Sequence, residues 1–284
     1  MIPVEELLRF VREDAPWGDV TSEAVVPDVV CRAVIRAKNS GIVAGLAEAL
    51  VLFEHYGVTV RVRIPDGRAV APGATLLELD GSARAILLVE RTALNIIGRM
   101  SGIATRTREA VDAVRTVSPC VRVAATRKTA PGLRMLDKKA VVLGGGDPHR
   151  YSLSDMILIK DNHLALVPLP EAVRRAKQQS LYRTVEVEAE TVEDAVTAAE
   201  AGADIVLLDN MTPDTVRETV RALTGRGLRE RVTLEVSGGV AVDDLAGYAA
   251  TGIDIISMGA LTHTVRNFDV SLDILTGAGT VRIP

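Results

Sequence analysis

The stretch "TVEVEAETVEDAVTAAEAGADIVLLDN" (184–210) decides the fold. It places two short apolar runs, 184–190 and 204–210, on either side of one amphipathic segment. The alternating, β-branched runs predict strands, and the segment between them has the apolar spacing of a helix and ends at a glycine. A strand, a helix and a second strand in this order predict two parallel strands joined by a crossover helix.

The same pattern extends over the second half of the chain. Six apolar runs are followed by helix-like or loop segments, at 121–126, 155–161, 184–190, 204–210, 232–239 and 254–260. No G-x-G-x-x-G motif marks the crevice of an open dinucleotide-binding sheet, so a closed β/α barrel is favoured over a doubly wound sheet. The pattern therefore predicts an α/β protein whose C-terminal part, residues 113–264, is a TIM-like barrel of parallel strands.

The first part of the chain has a different organisation. Helical spacing is seen at 4–14, 47–57 and 82–117, the last with a break expected near Ser101 and Gly102, and strand alternation is seen at 31–45 and 58–81. This mixture predicts an N-terminal α/β sandwich domain over residues 1–112, with residues 265–284 as a possible addition to it.

Composition excludes several classes of function. The 284 residues carry a formal net charge of −4 and only 3% aromatic residues, which argues against nucleic-acid binding. No apolar run approaches the length of a membrane span, and acidic residues interrupt the first helix, so neither membrane insertion nor a signal peptide is expected. Cys31 and Cys120 have no metal-ligand spacing and predict buried thiols in a reducing compartment, so we expect a cytoplasmic protein.

Positive charge is nevertheless concentrated in residues 125–163, which contain nine Lys, Arg and His residues. Arg127, His149, Arg150 and Lys160 could converge on a small dicarboxylate, because arginine forks bind carboxylates in a bidentate manner. Three other basic residues lie on a helical pattern and are expected to be solvated; they are Arg134, Lys138 and Lys139.

Barrel enzymes take their functional groups from the C-terminal ends of the strands. Polar or glycine residues follow the predicted strands at Arg127–Lys128, Lys160, Glu188, Asp209, Ser237-Gly238-Gly239 and Gly259-Ala260. The small residues on the last two strands predict a phosphate site. The carboxylates of Glu188 and Asp209 predict either a Mg²⁺ site or stabilisation of a developing sugar cation. Glu186 shares a strand face with Glu188, and one of these two could simply neutralise a nearby lysine.

These residues carry a family resemblance. The motifs "TRKTAPGLR", "GGGDPHR", "ILIKDNH", "EVEAE", "LLDN", "SGG" and "GALTH", with "EDAPWGDVTSEAV" and "ERTALNIIGRMSGIAT" before them, resemble the quinolinate phosphoribosyltransferases over essentially the whole chain. The resemblance implies a sandwich domain followed by a barrel. It also implies Mg²⁺-dependent transfer of phosphoribosyl from phosphoribosyl pyrophosphate (PRPP) to quinolinate, giving nicotinate mononucleotide, pyrophosphate and CO₂ in NAD synthesis.

The resemblance also implies residue roles and partners. Quinolinate would be bound by Arg127, His149, Arg150 and Lys160, with Arg91 contributed by a neighbouring subunit of a homodimer or hexamer. Lys128, Glu188 and Asp209 would face the ribose and the Mg²⁺-pyrophosphate, and with Lys160 they form the expected catalytic set. The 5′-phosphate would lie against Ser237, Gly238, Gly259 and Ala260, and Thr126, Gly239 and Met258 complete the predicted substrate-binding residues.

Some positions depart from the family pattern and leave the acceptor open. Ala125 stands where Asp is common, Asp147-Pro148 precedes His149 where Asn is common, and Ser152 replaces a glycine. A branch associated with molybdate-transport genes shares the Pro-His-Arg variant, which leaves a different acceptor possible. Two functions outside phosphoribosyl transfer also stay open: a Schiff-base lyase using Lys160, and a non-catalytic anion-binding protein.

Overall fold

The computed structural model describes residues 2–275 and 281–282, and the chain forms two compact units. The first contains Met1–Arg106, Met135–Gly144 and Val265–Pro284, and the second contains Thr107–Arg134 and Gly145–Thr264. The boundary thus falls six residues before the predicted one, and residues 135–144, expected in the barrel, group with the first unit. Of the predicted C-terminal addition, residues 276–280 and 283–284 lie outside the described part of the chain.

The first unit is built on an antiparallel sheet. Its strands are β1 (Val30–Ala37), β3 (Thr59–Val62), β5 (Thr75–Ser82) and β12 (Val270–Ile274), in the order β12-β1-β5-β3, with β13 (Val281–Arg282) also paired to β1. A separate two-stranded sheet joins β2 (Gly41–Ile42) to β4 (Ala69–Val70). The helices are α1 (Val4–Asp14), α2 (Val20–Val25) and α3 (Leu46–His55). Buried Ile35 lies opposite Leu77 in the sheet, so alternation along the strands forms the core, as the sequence predicts.

The long helix α4 (Ala83–Arg115) is continuous, so the break expected near Ser101 and Gly102 is wrong. The Ser101 hydroxyl is satisfied by the backbone of Ala44, from whose N–H it accepts and to whose carbonyl it donates. A Cβ on Gly102 would lie 2.2 Å from the carbonyl oxygen of Arg266. Both residues are small because another backbone segment packs closely against α4 at each of them. Local helix propensity cannot reveal such a packing contact.

Helix α5 (Arg134–Gly144) corrects another expectation. Lys138 is fully buried, and the Nζ of Lys139 lies 2.6 Å from Glu48 Oε1. Arg134 donates hydrogen bonds to Thr129 and to the carbonyl oxygen of Tyr151. All three were expected to be solvated, but helical spacing alone does not identify the face that packs against the rest of the unit.

The same helix provides a test of stability. Asp137 is fully buried and accepts two hydrogen bonds from Arg99, at 2.7 and 2.9 Å. Asp137→Ala should lower the free energy of unfolding by about 3 kcal/mol, because the substitution removes two charged hydrogen bonds from a buried ion pair. Chemical denaturation measures this, with Asp112→Ala as the control, since Asp112 forms a long, exposed contact with Arg108. A loss below about 1 kcal/mol for Asp137→Ala would contradict the expectation.

The second unit contains six parallel strands. They are β6 (Arg122–Ala124), β7 (Ile157–Ile159), β8 (Val185–Ala189), β9 (Ile205–Asp209), β10 (Thr233–Ser237) and β11 (Ile255–Ser257). Their order is β6-β11-β10-β9-β8-β7, so the first strand pairs with the last. This cyclic order is that of a barrel and not of a doubly wound sheet, and it confirms the predicted fold class.

One interval of this barrel has a loop beside its first strand. In the described residues no strand ladder joins β6 to β7; instead, Asp147 bridges Ala124 of β6 in parallel. Asp147 N donates to the Val123 carbonyl oxygen at 2.8 Å, and Ala125 N donates to the Asp147 carbonyl oxygen at 2.9 Å. The segment that follows Asp147, which carries His149 and Arg150, is thereby fixed beside the end of β6.

Helices cover the outside of the second unit, as the crossover pattern predicts. They are α6 (Asp161–Leu164), α7 (Leu169–Gln179), α8 (Val192–Glu200), α9 (Pro213–Gly225), α10 (Leu245–Ala249) and α11 (Ala260–His263). Alternate strand residues such as Val187, Leu208 and Val236 are buried in the core that these helices share. The residues between them in sequence, including Glu186 and Glu235, therefore face the barrel interior.

Two further expectations concern the whole chain. Cys31 is buried, but Cys120 is exposed, so the prediction of two buried thiols is wrong for Cys120, which lies in the turn before β6. Within the part of the chain that the structure describes, no helix combines the length and apolar character that a membrane crossing requires.

Candidate active site

The predicted functional residues of the second unit lie at one edge of its sheet. Ser237, the last residue of β10, pairs with Asp209, the last residue of β9. Glu188 on β8 pairs with Leu207, so it lies two positions before the level of Asp209. Lys160 directly follows β7. Because parallel strands end at the same edge, these side chains share one end of the barrel.

Two arginines form the positively charged part of this site. Arg127 Nε is buried and has no hydrogen-bond partner among the described residues. Burial lowers the pKa of the Arg150 guanidinium, and the nearby charge of Arg127 lowers it further. Two partly buried like charges side by side, with an unsatisfied N–H donor, are an arrangement that an anionic ligand stabilises.

Lys160 and Glu188 form an ion pair at the same end. Lys160 Nζ donates a hydrogen bond to Glu188 Oε2, and Glu188 is buried. The backbone N–H of Lys160 donates to His163 Nδ1 at 2.9 Å, which holds the start of α6 beside β7. The expectation that one carboxylate of β8 neutralises a lysine is met by Glu188, not by Glu186.

The loop after β10 approaches the end of β9 closely. Gly238 has φ +87°, and a Cβ there would lie 2.3 Å from Asn210 Oδ1. Asn210 donates from its side chain to Asp209 Oδ2 at 2.6 Å and from its backbone to the Ser237 carbonyl oxygen at 2.9 Å. Asp209 is therefore held in place by a contact that requires glycine at position 238.

Lys128 is positioned by the loop after β11. Thr262 Oγ1 donates to the carbonyl oxygen of Lys128 at 2.8 Å. A Cβ on Gly259 would lie 2.9 Å from Lys128 Cδ, so the lysine stem lies against this glycine. Met258 is buried, and its N–H donates to the carbonyl oxygen of Ala124. Ala260 begins α11 directly after these residues.

The donor atoms fit the predicted Mg²⁺. Glu188 and Asp209 offer carboxylate oxygens from neighbouring strands, and Asn210 adds an amide oxygen beside them. Mg²⁺ prefers such hard oxygen ligands and usually keeps several waters while it bridges to phosphates. The residues present therefore suit a hydrated magnesium ion near the ends of β8 and β9.

His149 lies inside the barrel, and its predicted contact with quinolinate stays a prediction. Its Nε2 lies 3.3 Å from Glu235 Oε1 and 3.8 Å from Glu186 Oε2, inside the barrel. Its Nδ1 accepts a hydrogen bond of 2.7 Å from the N–H of Arg150. Both ring nitrogens of His149 thus face protein atoms. The guanidinium of the next residue, Arg150, lies near the charge of Arg127.

The two buried glutamates are the part of the site that the sequence interpretation missed. The strand-end pattern assigns no role to Glu235 and gives Glu186 at most the role, shared with Glu188, of neutralising a lysine. Burial, and next the charge of Glu235, raise the pKa of Glu186 to about 7. The available signal was a charged residue in the middle of an apolar strand, at 186 in "TVEVEAE" and at 235 in "VTLEVSGG".

Arg91 lies on α4 in the first unit and is exposed. Its predicted contribution from a partner subunit stays a prediction. Thr126 follows β6 directly, and its hydroxyl accepts a hydrogen bond of 3.1 Å from the Lys128 N–H. The other predicted residues of the second unit lie at the barrel end described above.

Comparison with known proteins identifies the family. Residues 19–101 match the family model "Quinolinate phosphoribosyl transferase, N-terminal domain", and residues 103–273 match the corresponding C-terminal domain. The chain is 46% identical over 270 residues to a probable nicotinate-nucleotide pyrophosphorylase (carboxylating) of Methanothermobacter thermautotrophicus, covering 94% of this chain and 96% of that protein. It is 36% identical over 277 residues to the nicotinate-nucleotide pyrophosphorylase (carboxylating) of Rattus norvegicus, covering 97% and 91%.

A solved structure agrees with this assignment. The nicotinate-nucleotide pyrophosphorylase of Ehrlichia chaffeensis superposes with a TM-score of 0.91 at 32% identity, covering 97% of this chain and 99% of that one. Two family models that together span most of the sequence, and relatives above 30% identity over nearly full length, confirm the resemblance seen in the motifs. The chain is an enzyme of the quinolinate phosphoribosyltransferase family.

Proposed function

We propose that this enzyme transfers the phosphoribosyl group of PRPP to quinolinate in a Mg²⁺-dependent reaction, releasing pyrophosphate and CO₂ and forming nicotinate mononucleotide for NAD synthesis. The observation that carries the proposal is the buried, unsatisfied Nε of Arg127 beside the partly buried guanidinium of Arg150. Such a pair suits an acceptor with two adjacent carboxylates. The relatives named as carboxylating pyrophosphorylases support the same reaction.

The chain's own residues account for binding and orientation. Arg127 and Arg150 would hold the two carboxylates of quinolinate, which directs its ring nitrogen toward the ribose. Lys128, lying against Gly259, would hold the donor's phosphates together with the loops after β10 and β11. Glu188, already paired with Lys160, would place negative charge near the ribose carbon where positive charge develops.

The proposed reaction proceeds through two successive bond changes, at the ribose carbon and then at the pyridine ring. The bond from the ribose carbon to pyrophosphate breaks, and the ring nitrogen of quinolinate bonds to that carbon. Mg²⁺, held by Glu188 and Asp209 through water, would neutralise the charge of the departing pyrophosphate. The resulting pyridinium accepts the electron pair of the adjacent C–CO₂⁻ bond as CO₂ leaves, and the ring carbon takes a proton.

The direct test is an acceptor assay. The protein is incubated with PRPP, Mg²⁺ and quinolinate, with nicotinate in a parallel tube, and nicotinate mononucleotide is followed by chromatography. We expect product from quinolinate alone. Product from nicotinate, or from neither, would contradict the acceptor assignment and favour a different acceptor, which the departures at Ala125, Asp147-Pro148 and Ser152 also allow.

A Schiff-base lyase has its own test. Its mechanism needs a neutral lysine amine, whereas Lys160 is held in an ion pair with a buried carboxylate. Borohydride treatment in the presence of phosphorylated aldehydes should therefore leave Lys160 unmodified, as shown by peptide mass spectrometry. A stable adduct at Lys160 would support the lyase function instead.

The loop after β10 supplies a prediction about donor binding. Gly238→Ala should raise the KM for PRPP about tenfold, because the new Cβ meets Asn210 and a positive φ disfavours alanine. Steady-state kinetics with PRPP varied measure this. Gly227→Ala is the control, since Gly227 also has positive φ but open space around it. Equal KM values for the two variants would contradict a role of this loop in donor binding.

Homo-oligomerisation with Arg91 donated between subunits, and a cytoplasmic location, complete the proposal. Arg91 is exposed on α4 and thus available to a second copy. A mixture of Arg91→Ala chains with chains inactivated at Glu188 tests the donation, because mixed oligomers should recover part of the activity. No recovery in confirmed mixed oligomers would contradict it.

A further inference from the structure

Two carboxylates are buried in the barrel interior without hydrogen-bond partners. Glu186 on β8 and Glu235 on β10 are 0% and 1% exposed, and none of their four oxygens accepts a hydrogen bond from the described residues. Barrel interiors are usually filled by branched aliphatic side chains. Burying a carboxylate is costly unless a cation or donor compensates it, so these two residues need a reason for their position.

The compensating group is His149. Its Nε2 lies 3.3 Å from Glu235 and 3.8 Å from Glu186, so the polar edge of the imidazole faces both carboxylates, although the alignment is not that of a hydrogen bond. The histidine enters from the loop whose Asp147 bridges Ala124 of β6. Three separate parts of the barrel thus meet at one imidazole.

The position of the imidazole proton follows from the second ring nitrogen. Nδ1 accepts a hydrogen bond from the Arg150 N–H, so it presents a lone pair and the ring proton must be on Nε2. The proton is thus on the ring nitrogen that lies nearest the two carboxylates, at 3.3 Å from Glu235 and 3.8 Å from Glu186. The same three residues have the spacing of a metal site, but a metal on Nε2 would place the proton on Nδ1 and break the bond from Arg150.

The backbone links this contact to the anion site. His149 has φ +54°, an unfavourable conformation for a residue other than glycine, and its N–H donates to Asp147 Oδ1 at 2.8 Å. Arg150 is the next residue, and its own N–H is the donor to the imidazole. A contact that fixes the orientation of the His149 ring therefore also fixes the backbone from which the Arg150 side chain extends.

We propose that Glu235, together with Glu186, is a positioning residue that holds His149 as its Nε2–H tautomer and thereby fixes Arg150 for the carboxylate of the acceptor. The kinetic part of this inference rests on the proposed function, whereas its tautomer part does not. Neither glutamate is expected to contact substrate. Their effect should therefore fall on acceptor affinity and not on the chemical step.

Nitrogen NMR tests the tautomer without any substrate. The chain has four histidines, so ¹⁵N-histidine labelling and the variant His149→Gln suffice to assign the ring. The wild type should show His149 protonated on Nε2 alone. Glu235→Gln, which keeps an acceptor oxygen, should preserve this pattern, and Glu235→Leu should shift His149 toward the Nδ1–H form. Thr233→Val, two residues earlier on the same strand face, is the control and should change nothing.

Kinetics test the consequence for the acceptor. Glu235→Leu should raise the KM for quinolinate about tenfold while kcat and the KM for PRPP stay within about threefold. Glu235→Gln should recover most of that loss. A merely structural role would instead lower the melting temperature and the active fraction without separating the two KM values. If no acceptor is turned over, the proposed function fails, and the NMR result still decides the positioning role.

Three results would overturn the inference. One is a wild-type His149 protonated on Nδ1 or on both nitrogens. Another is an unchanged tautomer and unchanged acceptor KM in folded Glu235→Leu protein. The third is stoichiometric loss of the Nε2–H signal on titration with Zn²⁺ that is absent in Glu186→Gln, which would make the cluster a metal site. If Glu235→Leu does not fold, the wild-type tautomer and Glu235→Gln decide the question.

Discussion

Arg127→Ala is expected to lower kcat/KM for quinolinate by about 100- to 1,000-fold. The Arg127 Nε is buried without a partner in the described structure, so it is available to an anion. A hydrogen bond to a charged group contributes about 1.5–3 kcal/mol, and a bidentate arginine makes two. The stated range corresponds to about 2.8–4.2 kcal/mol, since each 1.4 kcal/mol is a factor of ten, and it lies at the lower end of the roughly 3–6 kcal/mol that two such bonds contribute.

Steady-state kinetics with quinolinate varied at saturating PRPP measure the effect. Arg127→Lys should recover only part of the loss, because an ammonium keeps the charge but not the fork. Arg175→Ala is the matched control: Arg175 is exposed on α7 and pairs with Glu171, so its removal should change kcat/KM by less than twofold. If Arg127→Ala stays within about fivefold of the wild type, Arg127 does not bind the acceptor.

Glu188→Gln is expected to lower kcat by about 100- to 1,000-fold with little change in the KM for quinolinate. At an effective dielectric constant of 20, opposite unit charges 4 Å apart attract by about 4 kcal/mol. The substitution keeps the shape of the side chain and removes its charge. Because the positive charge at the ribose develops in the transition state, the loss should appear in kcat.

Single-turnover and steady-state rates at saturating substrates measure this. Glu190→Gln is the matched control, because Glu190 lies two residues further along and is exposed, and its rate should stay within twofold. A melting curve of Glu188→Gln checks that the loss of the Lys160 partner has not unfolded the barrel end. A normal kcat would remove Glu188 from the catalytic set, whereas a loss confined to the quinolinate KM would make it a binding residue.

The sequence predicted much of this molecule because the decisive signals were local. Each of the six apolar runs became a strand, and polar or glycine residues such as Lys160, Asp209 and Gly238 follow or end those strands. Alternation identifies one face of a strand, and parallel strands end at the same edge, so both inferences need only nearby residues.

Other features depend on contacts between distant residues and could not be predicted in this way. Ser101 and Gly102 look like a helix break until the backbone that packs against them is known. Burial of Lys138 depends on which face of α5 packs inward. The meeting of His149 with Glu235 depends on strand order and on the loop beside β6, which spacing along the chain does not encode.

The measurement that tests the proposed reaction most directly follows the fate of the two carboxylates. Quinolinate labelled with ¹³C either in its 2-carboxylate or in its 3-carboxylate is incubated with the protein, PRPP and Mg²⁺, and both CO₂ and the nucleotide are analysed by mass spectrometry. We predict that the 2-carboxylate label appears in CO₂, one for each nicotinate mononucleotide formed, while the 3-carboxylate label stays in the nucleotide. A labelled nucleotide that retains both carboxylates, or no nucleotide at all, would contradict the proposed reaction.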